Sequence, residues 1–436
     1  MKMIAKVMMT FVSLLVIPCG LSRYAKNEEV KVEQTDTIMV QKLGRVEKGN
    51  LFIERDVDLK GAVCIIPKGT KLVFKRGIIR NGILVGNNTK ITGKDKVFDK
   101  VTIQGSWIVP NISTDLFVDL GYLNALRNVM ALANANIQNN IIIKEGNYQV
   151  VVEKDSETCL TLCSNTNLIM NGTIQINPNE YDSYNILELK GENIHVEGKG
   201  KIIGDKHTHK GDTGEWGMGI MMKNVVNASV SGLTIKDCWG DCIYIGKKSQ
   251  NILIENCVLD NGRRQGISVT GGDGITIRDI KITNVSGTNP QYAIDVEPNA
   301  GNTCDNITID NVEVIDCVGG IVITAVEREG VKKAWVGNVV IKNCNVSSTE
   351  KYPLRIRSGI SAIVENNTFN TPDKRIAVYI TDVDSVTVTN NTVKTNNGLL
   401  STIKNNVRKV IKGASYKHIK VLRSSNEDVH DNMVYE

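Results

Sequence analysis

The chain has 436 residues and a formal net charge of +5, from 52 basic and 47 acidic side chains, with 38 glycines and 5% aromatics. Charges this evenly mixed, without a basic stripe interleaved with aromatics, exclude a nucleic-acid-binding surface. A chain this poor in aromatics and prolines builds its core from Ile, Val and Leu and turns its corners with glycine.

In chain order, Lys2 and Lys6 precede an apolar run from Met8 to Ile17, followed by Pro18-Cys19-Gly20-Leu21-Ser22. That is the plan of a secretory signal, so residues 1–22 are expected to be a signal peptide and the protein extracytoplasmic: secreted, periplasmic or at the cell surface. The run is short for a bilayer span. Cys19 also resembles the lipid-modified cysteine of a bacterial lipoprotein, although Pro18 departs from that signal; an anchor there is the one membrane attachment foreseen. Residues 23–45 are polar and without period, and read as a tether. Residues 46–118 read as an N-terminal β-rich region, its short strands punctuated by Pro67-Lys68-Gly69 and Gly86-Asn87-Asn88. One helix is predicted, Leu120 to Ala135, placed to plug the open end of the strand stack beyond it. Residues 119–415 are expected to form one repetitive domain, and residues 416–436 a C-terminal tail.

The repeat is marked by asparagines at strand ends: Asn256, Asn284, Asn311, Asn343, Asn366, Asn390 and Asn405. Apart from the shorter last interval, they recur at roughly the length of one solenoid coil. Short β-branched strands at this spacing, with no helical period, predict an all-β fold of stacked coils, a parallel β-helix solenoid. Aligning the strand after each glycine-containing corner gives a column of middle residues, Met221, Tyr244, Ser268, Asp295, Val322, Arg355 and Tyr379. Lys223, Gly246, Thr270, Glu297, Thr324, Arg357 and Thr381 form the next. Alternation predicts that both columns face outward. The ten cysteines lack the spacing of a zinc site and read as inward-facing thiols.

The segments Trp239-Gly240-Asp241-Cys242-Ile243, Asn251-Ile252-Leu253-Ile254 and Gln265-Gly266-Ile267-Ser268 resemble, in order and spacing, motifs of the pectin-lyase-like right-handed β-helix proteins. Among these the closest resemblance is to the polygalacturonase-type glycoside hydrolases. It implies a right-handed single-stranded parallel β-helix acting on a polysaccharide. Of that family's catalytic residues only Asp241 is carried over. Its adjacent aspartate falls on Gly240, its histidine on Gln265, its Asn-Thr-Asp near Gly217 to Gly219 with Glu215 the nearest acid, and its Arg-Ile-Lys on Asp295-Val296-Glu297.

The candidate chemistry comes from the columns. Asp295 and Glu297, about 7 Å apart along one strand, suit a carboxylate pair flanking a glycosidic bond or, equally, a site for a hard cation. Arg355 and Arg357 stand on the same columns two coils on, placed to hold a uronate or sulfate. Arg263, Arg264 and Gln265 occupy the corner beside them. The insertion 204–217 adds His207 and His209, as metal ligands or acid/base groups, and Trp216, which could stack on a sugar ring; Tyr244 of the first column is a further substrate-binding candidate. The leading expectation is glycoside hydrolysis by a carboxylate pair drawn from Glu215, Asp241, Asp295 and Glu297. The alternatives are calcium-assisted β-elimination with Arg263, Arg264, Arg355 or Arg357 as base, and a non-catalytic glycan-binding or adhesion solenoid. No cofactor is foreseen beyond Ca2+ in the lyase case.

Overall fold

The structure is a computed structural model; residues 40–325, 335–371, 376–395, 415–416, 418–424 and 426–435 are described. The expected signal peptide, Cys19, most of the tether and Asn405 lie outside them. Among the described residues no helix is long and apolar enough to cross a membrane.

Almost every strand pairs in parallel with the strand one coil before it and the strand one coil after. Each coil of the larger stack has three strands. One coil consists of Ser249–Glu255, Val258–Asp260 and Ile267–Val269, seated on Val226–Ser231, Thr234–Lys236 and Ile243–Gly246. Coil length varies with the loops. The coil that carries the chain from Ile275 to its stacking partner Ile307 is longer than the one from Ile252 to Ile275, because both the corner at residues 284–291 and the turn at residues 297–302 are extended. Alternation sends Ile252, Ile254, Ile275, Ile277, Ile307 and Ile309 into the interior, where they are at most 1% exposed.

Residues 50–108 also form parallel coils, but of smaller circumference. Leu72 pairs with Leu51 and Ile91, and Ile79 with Phe98. Their interior and that of the large coils make one hydrophobic core, from Leu43 to Val421. The predicted helix is only Ala125–Met130 and lies where the two stacks meet. Asn128 Oδ1 accepts the Ile103 amide of the small coils, at 2.9 Å, and Arg127 bonds Cys159 O, Val151 O and Glu157 of the large ones. Part of the expected C-terminal tail is a further coil: Ile419–Leu422 pairs with the Val378–Thr389 strand, Asn426–His430 with Ser385 to Thr389, and Met433–Tyr435 with Thr392 to Lys394.

The asparagines that suggested the coils belong to two corners, not one. Strand register stacks Asn256, Asp279, Asn311, Asn343, Asn366 and Asn390 in a single column, all with φ between 52° and 57°. Asn284 belongs to another, with Asp237, Asn261 and Asp316, φ 54–59°. Asn and Asp recur at both because they tolerate the left-handed region at a sharp corner. Their side chains bond across coils, Asn311 to Asp279 and Asn343 to Asp310, each at 2.7 Å.

A buried ladder lies one residue further on. Asn367 Oδ1 accepts from Cys344 N, Asn391 Oδ1 from Asn367 N, and Asn432 Oδ1 from Asn391 N, at 2.9–3.0 Å. Each Nδ2 donates to a backbone carbonyl: Ile341 O, Val364 O and Val388 O. Replacing Asn391 with Leu strands the buried Asn367 N–H. A loss of roughly 1–3 kcal/mol for that group alone is expected in urea unfolding. All nine described cysteines are buried.

Candidate functional site

Register confirms the first column residue by residue: Met221 pairs with Tyr244, Tyr244 with Ser268, Ser268 with Asp295, Asp295 with Val322, Val322 with Arg355, and Arg355 with Tyr379. The expectation that it faces open solvent fails in the middle. Met221, Ser268, Asp295 and Val322 are buried, and Tyr244, Arg355 and Tyr379 are half-buried. In the second column Gly246 and Thr381 are buried, Glu297 is half-buried and Arg357 is exposed. Over Ser268 and Asp295 the reason is local: the corner before the Ser268 strand folds its side chains back across both.

That corner holds Arg264 and Gln265, with Asp241 one coil earlier. Arg264 donates from one terminal nitrogen to both oxygens of Asp241, at 3.3 and 3.4 Å, and to Gln265 Oε1 at 3.0 Å. Its Nε stands 3.4 Å from Glu215 Oε2 as an ion pair. Ser268 Oγ donates to Asp241 Oδ2 at 2.6 Å and also contacts Gln265 Oε1, while Gln265 Nε2 donates to Asp295 Oδ2. Two acids on alternate coils are thus bridged by one arginine, one glutamine and one serine. Ser268 is the member that site reasoning from sequence passed over. It stood in the column between the two acids, which was the available signal.

The electrostatics result from enclosure. Asp241 has no exposed surface, and burial pushes its carboxyl up to about 6 against the opposing pull of Arg264 and Ser268. Asp295 is 4% exposed; burial first, then Glu297, pushes it up to about 8, and Arg264 and Gln265 only partly offset this. Burial works against the Arg264 charge, but Asp241, Asp295 and Glu215 outweigh it and raise its pKa. A guanidinium held charged in this way is a poor proton acceptor.

The polygalacturonase-type aspartate missing at Gly240 has a steric explanation. A Cβ on Gly240 would lie 2.7 Å from Glu215 O and 2.8 Å from Gly217 N, because the 204–217 insertion runs across that spot. Asp205 anchors the insertion. It is buried and accepts from Asn179 N and Nδ2, from Tyr184 Oη and, at 2.9 Å, from the His209 ring. The fully enclosed His209 ring stacks on Trp239 with centroids 3.9 Å apart, and Arg263 covers Trp239 at 3.6 Å while donating to Gly214 O at 2.9 Å. Arg263 and His209 therefore hold the insertion down. His207 does not join His209: it is 68% exposed and meets Asn261 and Asp237. Among the described residues no group of three or more His, Cys, Asp or Glu is placed to hold a metal ion. Arg263→Ala removes a cation–π contact of about 0.5–2 kcal/mol. The insertion should then be cut faster in limited proteolysis, with little change in the urea midpoint.

The remaining candidates lie on either side. Trp216, 50% exposed, and Glu215, with a 44% exposed side chain, form the outer rim beside Arg264. Tyr244 Oη is 2.6 Å from Thr270 Oγ1, and Lys223 Nζ lies 5.1 Å over its ring. Arg355 and Arg357 are two coils beyond Asp295; Arg355 lines a cavity with Tyr292, Lys351 and Tyr352, and Arg357 is exposed.

The family model "Right handed beta helix region" matches residues 126–296 and 218–329. Two curated relatives, both from Bacillus subtilis (strain 168), are similar in sequence. The uncharacterized protein YclG is 27% identical over 313 residues, covering 61% of this chain and 51% of its own length. The SPbeta prophage-derived uncharacterized protein YorA is 30% identical over 158 residues, covering 31% of this chain and 27% of its own. The chain thus spans about half or less of the length of these relatives. Among solved structures, the tailspike protein of E. coli bacteriophage HK620 in complex with pentasaccharide superposes with a TM-score of 0.50 at 13% identity, covering 75% of this chain and 67% of that one. Parallel three-strand coils, the family match and the superposition agree on the fold: this chain is a right-handed parallel β-helix.

Proposed function

We propose that the protein binds an extended glycan along the column from Met221 to Tyr379 and hydrolyses a glycosidic bond where Glu215, Arg264, Asp241 and Asp295 meet. The observation that carries this is the register, with the ion pairs of Arg264, that brings three acids and one arginine, drawn from four coils, onto one stretch of sheet. Asp295, pushed up to about 8, keeps its proton at neutral pH and is assigned as general acid. Asp241, at about 6, is largely ionised there and is assigned as base or nucleophile. Two carboxyl groups in opposite protonation states are what glycoside hydrolysis uses. Glu215 and Trp216 at the rim meet the sugar, the indole plane matching the apolar face of a pyranose. The tailspike of like fold, in complex with a pentasaccharide, supports the glycan part of the reading. The place of action proposed is outside the cytoplasm, on the character of residues 1–22.

A second reading, a glycan-binding solenoid without catalysis, is favoured by one observation: Asp241 and Asp295 are almost fully enclosed. Calcium-assisted elimination has less support, because Arg264 is held charged by three acids and Arg263 is engaged with Trp239 and Gly214 O. Incubation with a panel of acidic and neutral polysaccharides, following reducing ends and ultraviolet absorbance together, separates the three. New reducing ends alone are expected. Reducing ends with absorbance would mean elimination, and binding with neither would mean the non-catalytic reading.

A further inference from the structure

The even mixture of charges along the chain conceals an uneven distribution in the fold. Residues 45–108, the small coils with the hairpin that opens them, hold thirteen basic and six acidic side chains, a surplus of seven where the whole chain has a surplus of five. The rest of the chain is therefore slightly acidic.

Much of the surplus stands on one sheet. Asn50–Ile53, Lys71–Phe74 and the end of Ile79–Gly93 stack with Asn50 on Lys71 and Lys71 on Lys90. Leu51, Leu72 and Ile91 turn inward, so alternation turns Lys71 and Lys90 outward, about 4.8 Å apart on adjacent coils. Lys75 and Lys94 lie just past the far ends of these strands, and Lys48 and Lys68 occupy the turns before the near ends. All six lysines are exposed. Among the described residues none of them has a carboxylate at ion-pair distance: Glu47 and Glu54 meet Arg45, and Asp56 meets Arg80. Asp95, beside Lys94 in the chain, is outnumbered. The middle of the sheet is uncharged, with Phe52, Val73 and Thr92 half-buried and Arg45 4.6 Å over the Phe52 ring.

Unpaired like charges on a flat sheet repel one another, and an extended anionic surface relieves that repulsion. No exposed aromatic stands on this sheet to stack on a base or a sugar ring, which favours a layer of phosphate headgroups over a nucleic acid or a glycan. Val46, 54% exposed on the hairpin beside Lys48, adds an apolar side chain of the kind that enters the headgroup layer. Position in the chain agrees, because these coils come first after residues 1–39, which contain Cys19, the one membrane attachment foreseen. We propose that this lysine face docks on a bilayer surface rich in anionic lipid. The inference goes beyond the glycan reading and stands independently of it.

Co-sedimentation tests this, with the full chain carrying Cys19→Ser so that no lipid can be attached there. The probes are phosphatidylcholine vesicles and vesicles that also contain phosphatidylglycerol. At low salt the anionic vesicles should bind about tenfold or more tighter than the neutral ones, and the gap should close at high salt. Lys71→Glu with Lys90→Glu should abolish the gap. Lys75→Glu with Lys94→Glu should narrow it, and serves if the first pair does not fold. Lys199→Glu with Lys201→Glu, exposed on the large coils, changes the net charge equally and should leave the gap unchanged. Equal binding to both kinds of vesicle would overturn the proposal, as would a gap that survives both lysine pairs of the small coils or closes equally with the Lys199 pair. Binding to an acidic polysaccharide that depends on the same lysines, with anionic vesicles ignored, would make the partner a glycan and overturn it too.

Discussion

Asp295→Asn is expected to lower glycan cleavage by about 10²–10⁴-fold, the usual contribution of a general acid, while raising the melting temperature at pH 8. Both effects come from one feature. Burial, with Glu297, pushes Asp295 from its ordinary 3.8 up to about 8. Between those values the folded protein holds a proton that the unfolded chain has released. The stabilising contribution is therefore complete below about pH 4 and is lost as pH rises through about 8. Asp241 acts with the same sign between its ordinary 3.8 and about 6. Asparagine keeps an oxygen for Gln265 Nε2 and cannot ionise, so the variant should lose less stability than the wild type between pH 5 and pH 8. Melting curves at the two pH values decide it; equal losses in both proteins would show that Asp295 does not titrate from a buried site.

Arg264→Met is expected to have the largest effect on stability. It leaves Asp241, with no exposed surface, and Asp295 sharing one enclosed space without a cation. Removing one partner of a buried ion pair costs about 3–5 kcal/mol. The loss should be full at pH 8 and smaller at pH 5, where both acids take up protons more readily. Adding Asp241→Asn to Arg264→Met should recover a good part of it, since the uncompensated charge is then gone. Urea unfolding of the single and double variants at both pH values gives the comparison. A loss under about 1 kcal/mol for the single variant, the range of a surface ion pair, would contradict the network.

The coils were legible because a parallel stack repeats one short strand pattern. Triplets such as Ile243-Tyr244-Ile245 and Ile294-Asp295-Val296 align by their flanking aliphatics, and register pairs them as that alignment requires. Burial within the column was not legible. Alternation tells which side of the sheet a residue faces, and nothing about what a neighbouring corner lays over it. Asp295 faces the outer side and is still 4% exposed, because Gln265 reaches across from a corner of another coil. The two asparagine corners merged for a related reason. Asn256 and Asn284 have the same left-handed backbone and each follows an isoleucine two residues earlier in its strand, so spacing alone does not separate them. His207 and His209 looked like a pair, close together on one loop. Asp205 and Trp239, on different coils, turn one ring inward and leave the other outside.

The most direct test of a glycan-active face is a crystal structure of the Asp295→Asn protein soaked with each oligosaccharide it binds. Sugar density is expected along the strands from Met221 to Tyr379, with Glu215, Trp216 or Arg264 within contact distance of a ring. Density confined to the opposite side of the solenoid, beside Asn256, Lys281 and Glu313, would contradict it.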